Sequence, residues 1–166
     1  MNVTLVSCGA KVSAIREKGK DGYNAVQLEI AKTKKKTVKK EFRTEEITLE
    51  KETILDASIF QEGDVVSVSG IAKAKGFQGV VKRHGFAGSP ASHGHKHDLR
   101  APGAIGSGFP EHVIKGKRMA GRMGGKRSTS ENIKVVYVDK EKNILGLKGP
   151  VPGVPGRIIE IRSVER

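Results

Sequence analysis

A chain of 166 residues with 31 Lys and Arg against 18 Asp and Glu carries a formal net charge of +13, and its length supports one modest core with room for an appendage. So large a positive excess favours a polyanionic partner, with nucleic acid ahead of a membrane surface, since no run of about 18 apolar residues is present. One cysteine, Cys8, excludes an internal disulfide and a multi-cysteine zinc site.

Short apolar or β-branched runs between turn signals predict strands at both ends of the chain. The predicted strands cover residues 3–7, 11–16, 23–30, 40–44, 64–70, 133–139, 143–148 and 158–162. Turn residues before Tyr23 and Val65, and between Asp139 and Asn143, predict tight connections, the last of them a hairpin. A helical period is nearly absent, so the sequence predicts a mainly β fold. Because closure removes exposed edges, we expect a small closed or nearly closed barrel, with Cys8 as a small buried side chain.

Residues 72–127 differ from both flanking regions. These 56 residues hold 12 Lys and Arg against only Asp98 and Glu111, a net charge of +10 out of the chain's +13. They also hold 12 of the 21 glycines, all five histidines and three of the five phenylalanines, without apolar periodicity. Such a segment cannot bury a core of its own, so we predict a long, mostly irregular extension that becomes ordered against RNA. The predicted organisation is 1–71 as the first part of the barrel, 72–127 as the extension, and 128–166 as closing strands and tail.

The side chains of the extension suit a folded RNA. Lys and Arg neutralise phosphates and release counterions, and Arg adds planar bidentate contact. Glycine lets the backbone approach RNA closely, and Phe and His rings can stack on unpaired bases. Packing within the extension is an equally good interpretation of any one Phe.

A second basic run lies outside the extension. It comprises Lys32, Lys34, Lys35, Lys36, Lys39, Lys40 and Arg43. Two interpretations stay open, a solvated loop and a second phosphate-binding surface.

The clustered histidines suggest a rival function. His93, His95 and His97 precede Asp98 in an order similar to the metal-binding run of the metallo-β-lactamase fold, but with the last two residues transposed. A catalytic zinc ion needs three protein ligands and an open position, and only His112 follows as a further histidine. The rival is therefore a zinc-dependent hydrolase built on this cluster, and a second rival is a free RNA chaperone that uses the same extension. We predict no enzyme, no catalytic or metal-binding residue and no cofactor.

Four blocks of the extension carry a family resemblance. In order, they read KAKGFQGVVKRHGF at 73–86, SHGHKH at 92–97, RAPGAIG at 100–106 and KGKRMAGRMG at 115–124. They closely resemble the universal large-subunit ribosomal protein L three family in its bacterial form. Residues 41–43 and 63–70 are similar to its middle strands, and residues 138–139, 143–145 and 148–153 are similar to its C-terminal hairpin and tail.

The resemblance implies a translation-type β-barrel at the subunit surface and an extension that enters large-subunit rRNA toward the peptidyl transferase region. It also implies a structural constituent that binds rRNA early and supports assembly, with ribosomal proteins L fourteen and L nineteen as neighbours. Residues 1–10 hold no secretory or transit pattern, so we expect a cytoplasmic location, with no membrane and no small-molecule substrate.

By matching position, the limbs of the extension would be 73–100 and 115–127, with the tip at 104–109. The residues predicted to bind rRNA are Lys73, Lys75, Phe77, Lys82, Arg83, His84, Phe86, His93, His95, Lys96, His97, Arg100, Ser107, Phe109, Lys115, Lys117, Arg118, Met119, Arg122, Met123, Lys126 and Arg127.

Three features depart from the family pattern. Nothing before Val3 matches the usual opening strand, which contains Gly and Lys and ends in a Met-Thr pair. The segment between Ile30 and Glu41 is short and rich in lysine. Ser107 and Gly108 stand where some bacterial members carry a methylated glutamine, so we expect no such modification.

Overall fold

A computed structural model describes residues 1–33 and 36–164 of the chain. Its strands are β1 (Val3–Ser7), β2 (Ala10–Arg16), β3 (Ala25–Thr33), β4 (Lys36–Arg43), β5 (Ile54–Leu55), β6 (Val65–Ile71), β7 (Gly76–Gln78), β8 (Gly121–Met123), β9 (Arg127–Asp139), β10 (Ile144–Lys148) and β11 (Glu160–Ser163). Two short helices, α1 (Lys18–Asp21) and α2 (Val80–His84), and a 3-10 turn, Ala57–Ile59, complete the regular structure of this part. The prediction of a mainly β fold is confirmed.

The chain divides into two compact units. Unit 1 comprises residues 1–70 together with the chain from residue 129 onward, and unit 2 comprises residues 71–128. Within the described residues, no helix has the length and apolar character needed to span a bilayer.

The core of unit 1 lies against a five-stranded sheet in the order β1-β10-β9-β6-β11. Alternate residues of its central strands turn to one face, which places the largest apolar side chains together. The buried cluster consists of Val66, Val68, Ile133, Val135, Leu145 and Leu147. The predicted hairpin joins β9 to β10, and the Asp139 carboxylate accepts a hydrogen bond of 2.9 Å from the Lys142 backbone N–H in its turn. Cys8 packs against this cluster but is only half-buried, and desolvation raises the pKa of its thiol.

A four-stranded antiparallel sheet in the order β4-β3-β2-β5 forms the rest of unit 1. Val12 and Val26 are buried on it. The second basic run lies partly in strand β4, which begins at Lys36. The interpretation of this run as a loop is therefore wrong for residues 36–43. Lys34 and Lys35 lie outside the described residues.

The predicted closure into a barrel is not confirmed. Among the described residues the strands form three separate sheets, and none of them closes on itself. Strands β4 and β11 are edges, yet side chains connect them. The Lys40 ammonium lies 3.5 Å from the Glu160 carboxylate, and the Arg162 guanidinium lies 5.0 Å from the centre of the Phe42 ring. These four side chains border an open cavity of about 470 Å³.

The shortest elements were not predicted. Strands of two or three residues, such as β5, β7 and β8, are too short to show a period of two, and the single-turn α1 and α2 are too short to show one of 3.6. Strand β9 begins six residues before the predicted position, since Arg127–Asn132 are mainly exposed and polar and carry no apolar alternation.

Candidate nucleic-acid interface

A two-stranded antiparallel ribbon, β7–β8, organises unit 2. Phe77 lies directly opposite Arg122 in its register. The ladder is extended by bonds of 2.9 Å from the Lys75 backbone N–H to the Met123 carbonyl and 3.0 Å from Ala72 to Lys126. Gly124 makes this close approach possible: it has a positive φ of 69°, and a Cβ there would collide with the Lys73 carbonyl oxygen. The ribbon therefore joins the two predicted limbs of the extension.

Helix α2 fixes the same two limbs a second time. It begins after Gly79, and Val80 is its buried anchor, at 4% exposure. The Arg83 guanidinium donates a hydrogen bond of 2.6 Å to the Met119 carbonyl oxygen, and His84 Nε2 lies 3.1 Å from that same oxygen. Two predicted RNA-binding side chains thus also hold unit 2 together, which leaves less of their hydrogen-bonding capacity for RNA.

Between these fixed parts, residues 86–118 are almost entirely irregular and exposed. A few backbone hydrogen bonds shape them, such as Ser89 N–H to the Leu99 carbonyl (3.1 Å) and Lys117 N–H to Ile114 (3.2 Å). Nearly all their backbone groups face solvent, which is the situation expected of a segment that a partner surrounds.

The cationic side chains of unit 2 are exposed and, apart from Arg127, form no ion pair with a carboxylate in the described part of the chain. Only Arg83 is partly buried. In unit 1, by contrast, several basic side chains have carboxylate partners, such as Arg16 with Asp21 at 2.6 Å. The exposed cations of unit 2 are Lys73, Lys75, Lys82, Lys96, Arg100, Lys115, Lys117, Arg118, Arg122, Lys126 and Arg127.

The three phenylalanines of unit 2 differ in environment. Phe86 is partly buried, and its ring lies 5.8 Å from the ring of His84 in a tilted arrangement. Phe77 and Phe109 are exposed to 76% and 87%. Local packing therefore accounts for the position of the Phe86 ring. The exposed rings of Phe77 and Phe109 are not explained by packing within unit 2.

The histidines are spread over different local contacts. The His95 Nδ1 atom lies 3.0 Å from the Asp98 carboxylate, and this hydrogen bond lowers the pKa of Asp98. His112 Nδ1 lies 3.0 Å from the Pro110 carbonyl oxygen. His93 and His97 are exposed, as is Ser107, whose hydroxyl donates to the Phe109 carbonyl at 2.7 Å. In residues 1–33 and 36–164, no group of three or more His, Cys, Asp or Glu is arranged to hold a metal ion.

The structure brings together the predicted residues of the ribbon and of α2, while those of 93–118 are distributed along exposed chain. Met119 and Met123 are partly buried, so they serve as internal supports of unit 2. Sequence reasoning missed Gln78, whose amide donates to the Lys75 carbonyl oxygen, and the supporting role of Gly124. The adjacent pair Gly124-Gly125 was the available signal, since such pairs mark turns with positive φ.

These features define a class: a mainly β structural protein with a polybasic, glycine-rich segment of the kind that binds nucleic acid. The family model described as ribosomal protein L3 matches residues 9–146. The chain belongs to the ribosomal protein L3 family, whose members are structural constituents of the ribosome, and it is not an enzyme.

Curated relatives agree with the family match. The large ribosomal subunit protein uL3c of Guillardia theta is 40% identical, over 96% of this chain and 88% of its own length. The uL3 protein of Legionella pneumophila (strain Corby) is 40% identical over 92% of this chain and 80% of its own. That of Leifsonia xyli subsp. xyli is 42% identical over 92% and 79%. The relatives are named as proteins of the large ribosomal subunit, and the resemblance found in the sequence is confirmed. The hydrolase alternative is wrong.

Proposed function

We propose that the chain binds large-subunit rRNA directly through unit 2, supports early subunit assembly and reaches toward the peptidyl transferase region. The observation that carries this proposal is the concentration of exposed cations in unit 2, where eleven Lys and Arg side chains are open to solvent and Asp98 and Glu111 are the only acids. Such a segment repels itself until a polyanion neutralises it.

Folded rRNA meets this requirement. Phosphates on packed RNA helices take up the cations, and the released counterions drive binding, so the affinity falls steeply with salt. The ribbon and α2 supply a fixed base, while residues 86–118 have few internal hydrogen bonds to break when RNA contacts replace water. RNA should accordingly protect residues 86–118 from limited proteolysis.

The expected neighbours, ribosomal proteins L fourteen and L nineteen, call for a surface of a different kind. Val3 and Leu5 on β1 and Tyr137 on β9 are exposed apolar side chains on the two strands that flank β10 in unit 1. Val3 and Tyr137 flank Gly146, where a Cβ would lie 3.2 Å and 2.9 Å from their side chains. An exposed apolar patch of this kind suits a protein contact better than a phosphate.

Site-specific crosslinking within assembled particles tests the proposal. A photoreactive residue in place of Arg118 or Arg122 should crosslink to large-subunit rRNA in intact subunits, and one in place of Lys140, exposed in unit 1, serves as the matched control. In sucrose gradients of cell extract, the protein should migrate with large subunits. Crosslinks to protein alone from both arginine positions, or a protein that sediments mainly free of subunits as an RNA chaperone would, contradict the proposal.

A further inference from the structure

Phe77 occupies an unusual position for a large apolar side chain. It is the central residue of β7, held in a hydrogen-bonded ribbon directly opposite Arg122, yet its side chain is 76% exposed. Exposed single apolar residues are common on protein surfaces. Here the ring lies on the hydrogen-bonded strand β7 of a polybasic unit. The charged groups around the ring therefore determine which ligand it could bind.

The face of the Phe77 ring is open to a stacking partner. In the described residues neither an aromatic ring nor a guanidinium lies over it, although both kinds of contact occur elsewhere, as between Arg162 and Phe42. The Arg122 guanidinium lies instead beside Gly125, where a Cβ would be 3.1 Å from its terminal nitrogen. The arginine across the ribbon therefore leaves the Phe77 ring open.

Hydrogen bonds hold the ribbon that carries the ring at both of its ends. The Lys75-to-Met123 and Ala72-to-Lys126 hydrogen bonds close one end of the ribbon, and α2 anchors the other through Met119. Phe109 is more exposed, at 87%, but it lies in an irregular segment. A ring carried on a hydrogen-bonded strand costs less backbone entropy to order when a ligand stacks on it than a ring on an irregular segment.

The positive charges around Phe77 favour an anionic ligand. Lys73, Lys75 and Arg122 are exposed and form no ion pair with a carboxylate in the described part of the chain. A flat aromatic face among free cations is the arrangement that binds single-stranded nucleic acid, because bases stack on the ring while phosphates meet the cations.

We propose that Phe77 is a stacking platform for one unpaired base of the bound RNA, with Arg122 taking a phosphate next to that base. This inference rests on the proposed function, since it assigns a specific contact to unit 2 as an RNA-binding surface. A base is preferred to a peptide side chain because phosphates accompany it and neutralise the neighbouring lysines.

The test compares two probes of equal charge on the full chain: a single-stranded RNA octamer and the same sugar-phosphate octamer without bases. The ratio of their affinities isolates base stacking from phosphate contact. Stacking of one base on an aromatic ring is worth about 1–3 kcal/mol, so Phe77→Leu should reduce this ratio roughly 5- to 150-fold. Phe77→Trp should retain the ratio, which separates loss of the ring from damage to the ribbon.

Two matched variants complete the design. Ile114→Ala truncates another exposed apolar side chain of unit 2, one outside the predicted rRNA-binding residues, and should leave the affinity ratio unchanged. Arg122→Gln should leave the ratio unchanged but reduce the salt slope for both octamers by about 0.7, the value for one phosphate contact on a single strand. An unchanged ratio in Phe77→Leu, or an equal fall in Ile114→Ala, contradicts the proposal that Phe77 stacks on a base.

Failure of the platform differs from failure of the proposed function. Binding of the same variants to large-subunit rRNA is measured in parallel over a range of salt concentrations. If Phe77→Leu keeps the octamer ratio while rRNA binding stays steeply dependent on salt, the platform is wrong and the proposed function stands. If the unmodified chain shows no salt-dependent rRNA binding, the proposed function itself is wrong.

Discussion

Unit 1 and unit 2 satisfy opposite physical requirements. Unit 1 buries a cluster of Val, Ile and Leu side chains between strands and pairs basic side chains with carboxylates. Unit 2 buries Val80 as its one fully enclosed apolar side chain and leaves nearly all of its cations in solvent. We therefore expect most of the folding free energy to come from unit 1 and most of the free energy of RNA binding to come from unit 2. Changes in unit 1 should alter stability, and changes in unit 2 should alter RNA binding.

The largest expected effect concerns rRNA binding. Replacing both Arg118→Glu and Arg122→Glu removes two exposed cations and adds two anions. We expect a loss of about 1.5–3 kcal/mol of binding free energy for each charged contact, and impaired assembly of large subunits. Affinity for large-subunit rRNA and incorporation in sucrose gradients measure this loss.

The matched control for that double variant lies in unit 1. Lys140→Glu with Lys148→Glu makes the same change of net charge at exposed positions of the β9–β10 hairpin. It should reduce affinity far less, and circular dichroism should show both double variants folded. Equal losses in the two variants would mean that only overall charge matters, which contradicts the assignment to unit 2.

Stability should show the reverse pattern. Leu145 is fully buried in the unit 1 core, so Leu145→Ala should lower the free energy of unfolding by about 3–5 kcal/mol. Ile114 in unit 2 is exposed, and Ile114→Ala should change that free energy by no more than about 0.5 kcal/mol. Urea denaturation of the full chain measures both values. A large loss in Ile114→Ala would show that unit 2 contributes a packed core of its own.

A smaller effect is expected inside the ribbon. Gly124→Ala puts a Cβ against the Lys73 carbonyl at a positive φ, and strain of this kind costs on the order of 1–3 kcal/mol. The Lys75 amide, which donates to Met123, should then exchange its hydrogen faster. Gly116→Ala is the control, because Gly116 also has a positive φ but open space around it. Unchanged exchange at Lys75 in Gly124→Ala would mean that the ribbon does not depend on this close approach.

The smallest effect depends on pH. The backbone N–H of Lys142 lowers the pKa of Asp139 in the β9–β10 turn. A carboxyl group whose pKa is lower in the folded state stabilises that state above its ordinary pKa, and the stabilisation disappears as the pH falls through the lowered value. Asp139→Asn should therefore be less stable than the unmodified chain at neutral pH, with the difference vanishing in acid. Urea denaturation of the two proteins at several pH values measures this difference, and a difference that does not change with pH would contradict the role of the Asp139 carboxylate.

The sequence predicted much of unit 1 because its strands leave an apolar signature. The prediction placed strand β1 correctly, and strand β10 begins one residue after the predicted position. Alternate apolar residues and turn signals bounded each of these strands. Closure of the barrel was not predictable from local pattern. It depends on whether the edge strands of the two sheets of unit 1 form backbone ladders with each other, and between β4 and β11 the side-chain contacts Lys40–Glu160 and Arg162–Phe42 are found instead.

In unit 2 composition identified the chemistry but not the arrangement. Nothing local in the sequence indicates that Phe77 lies opposite Arg122, because that register depends on two segments 45 residues apart. The contacts of Arg83 and His84 with the same Met119 carbonyl oxygen could not be predicted either. A backbone acceptor does not depend on residue type, so the sequence pattern does not indicate it.

The salt dependence of rRNA binding by the full chain tests the central claim most directly. If several cations of unit 2 each neutralise a phosphate, the logarithm of the binding constant should fall linearly with the logarithm of salt concentration. The slope should be about −0.9 per contact, and Arg118→Glu with Arg122→Glu should make it shallower by about 2. A slope near zero, or one that the double variant leaves unchanged, would contradict the account.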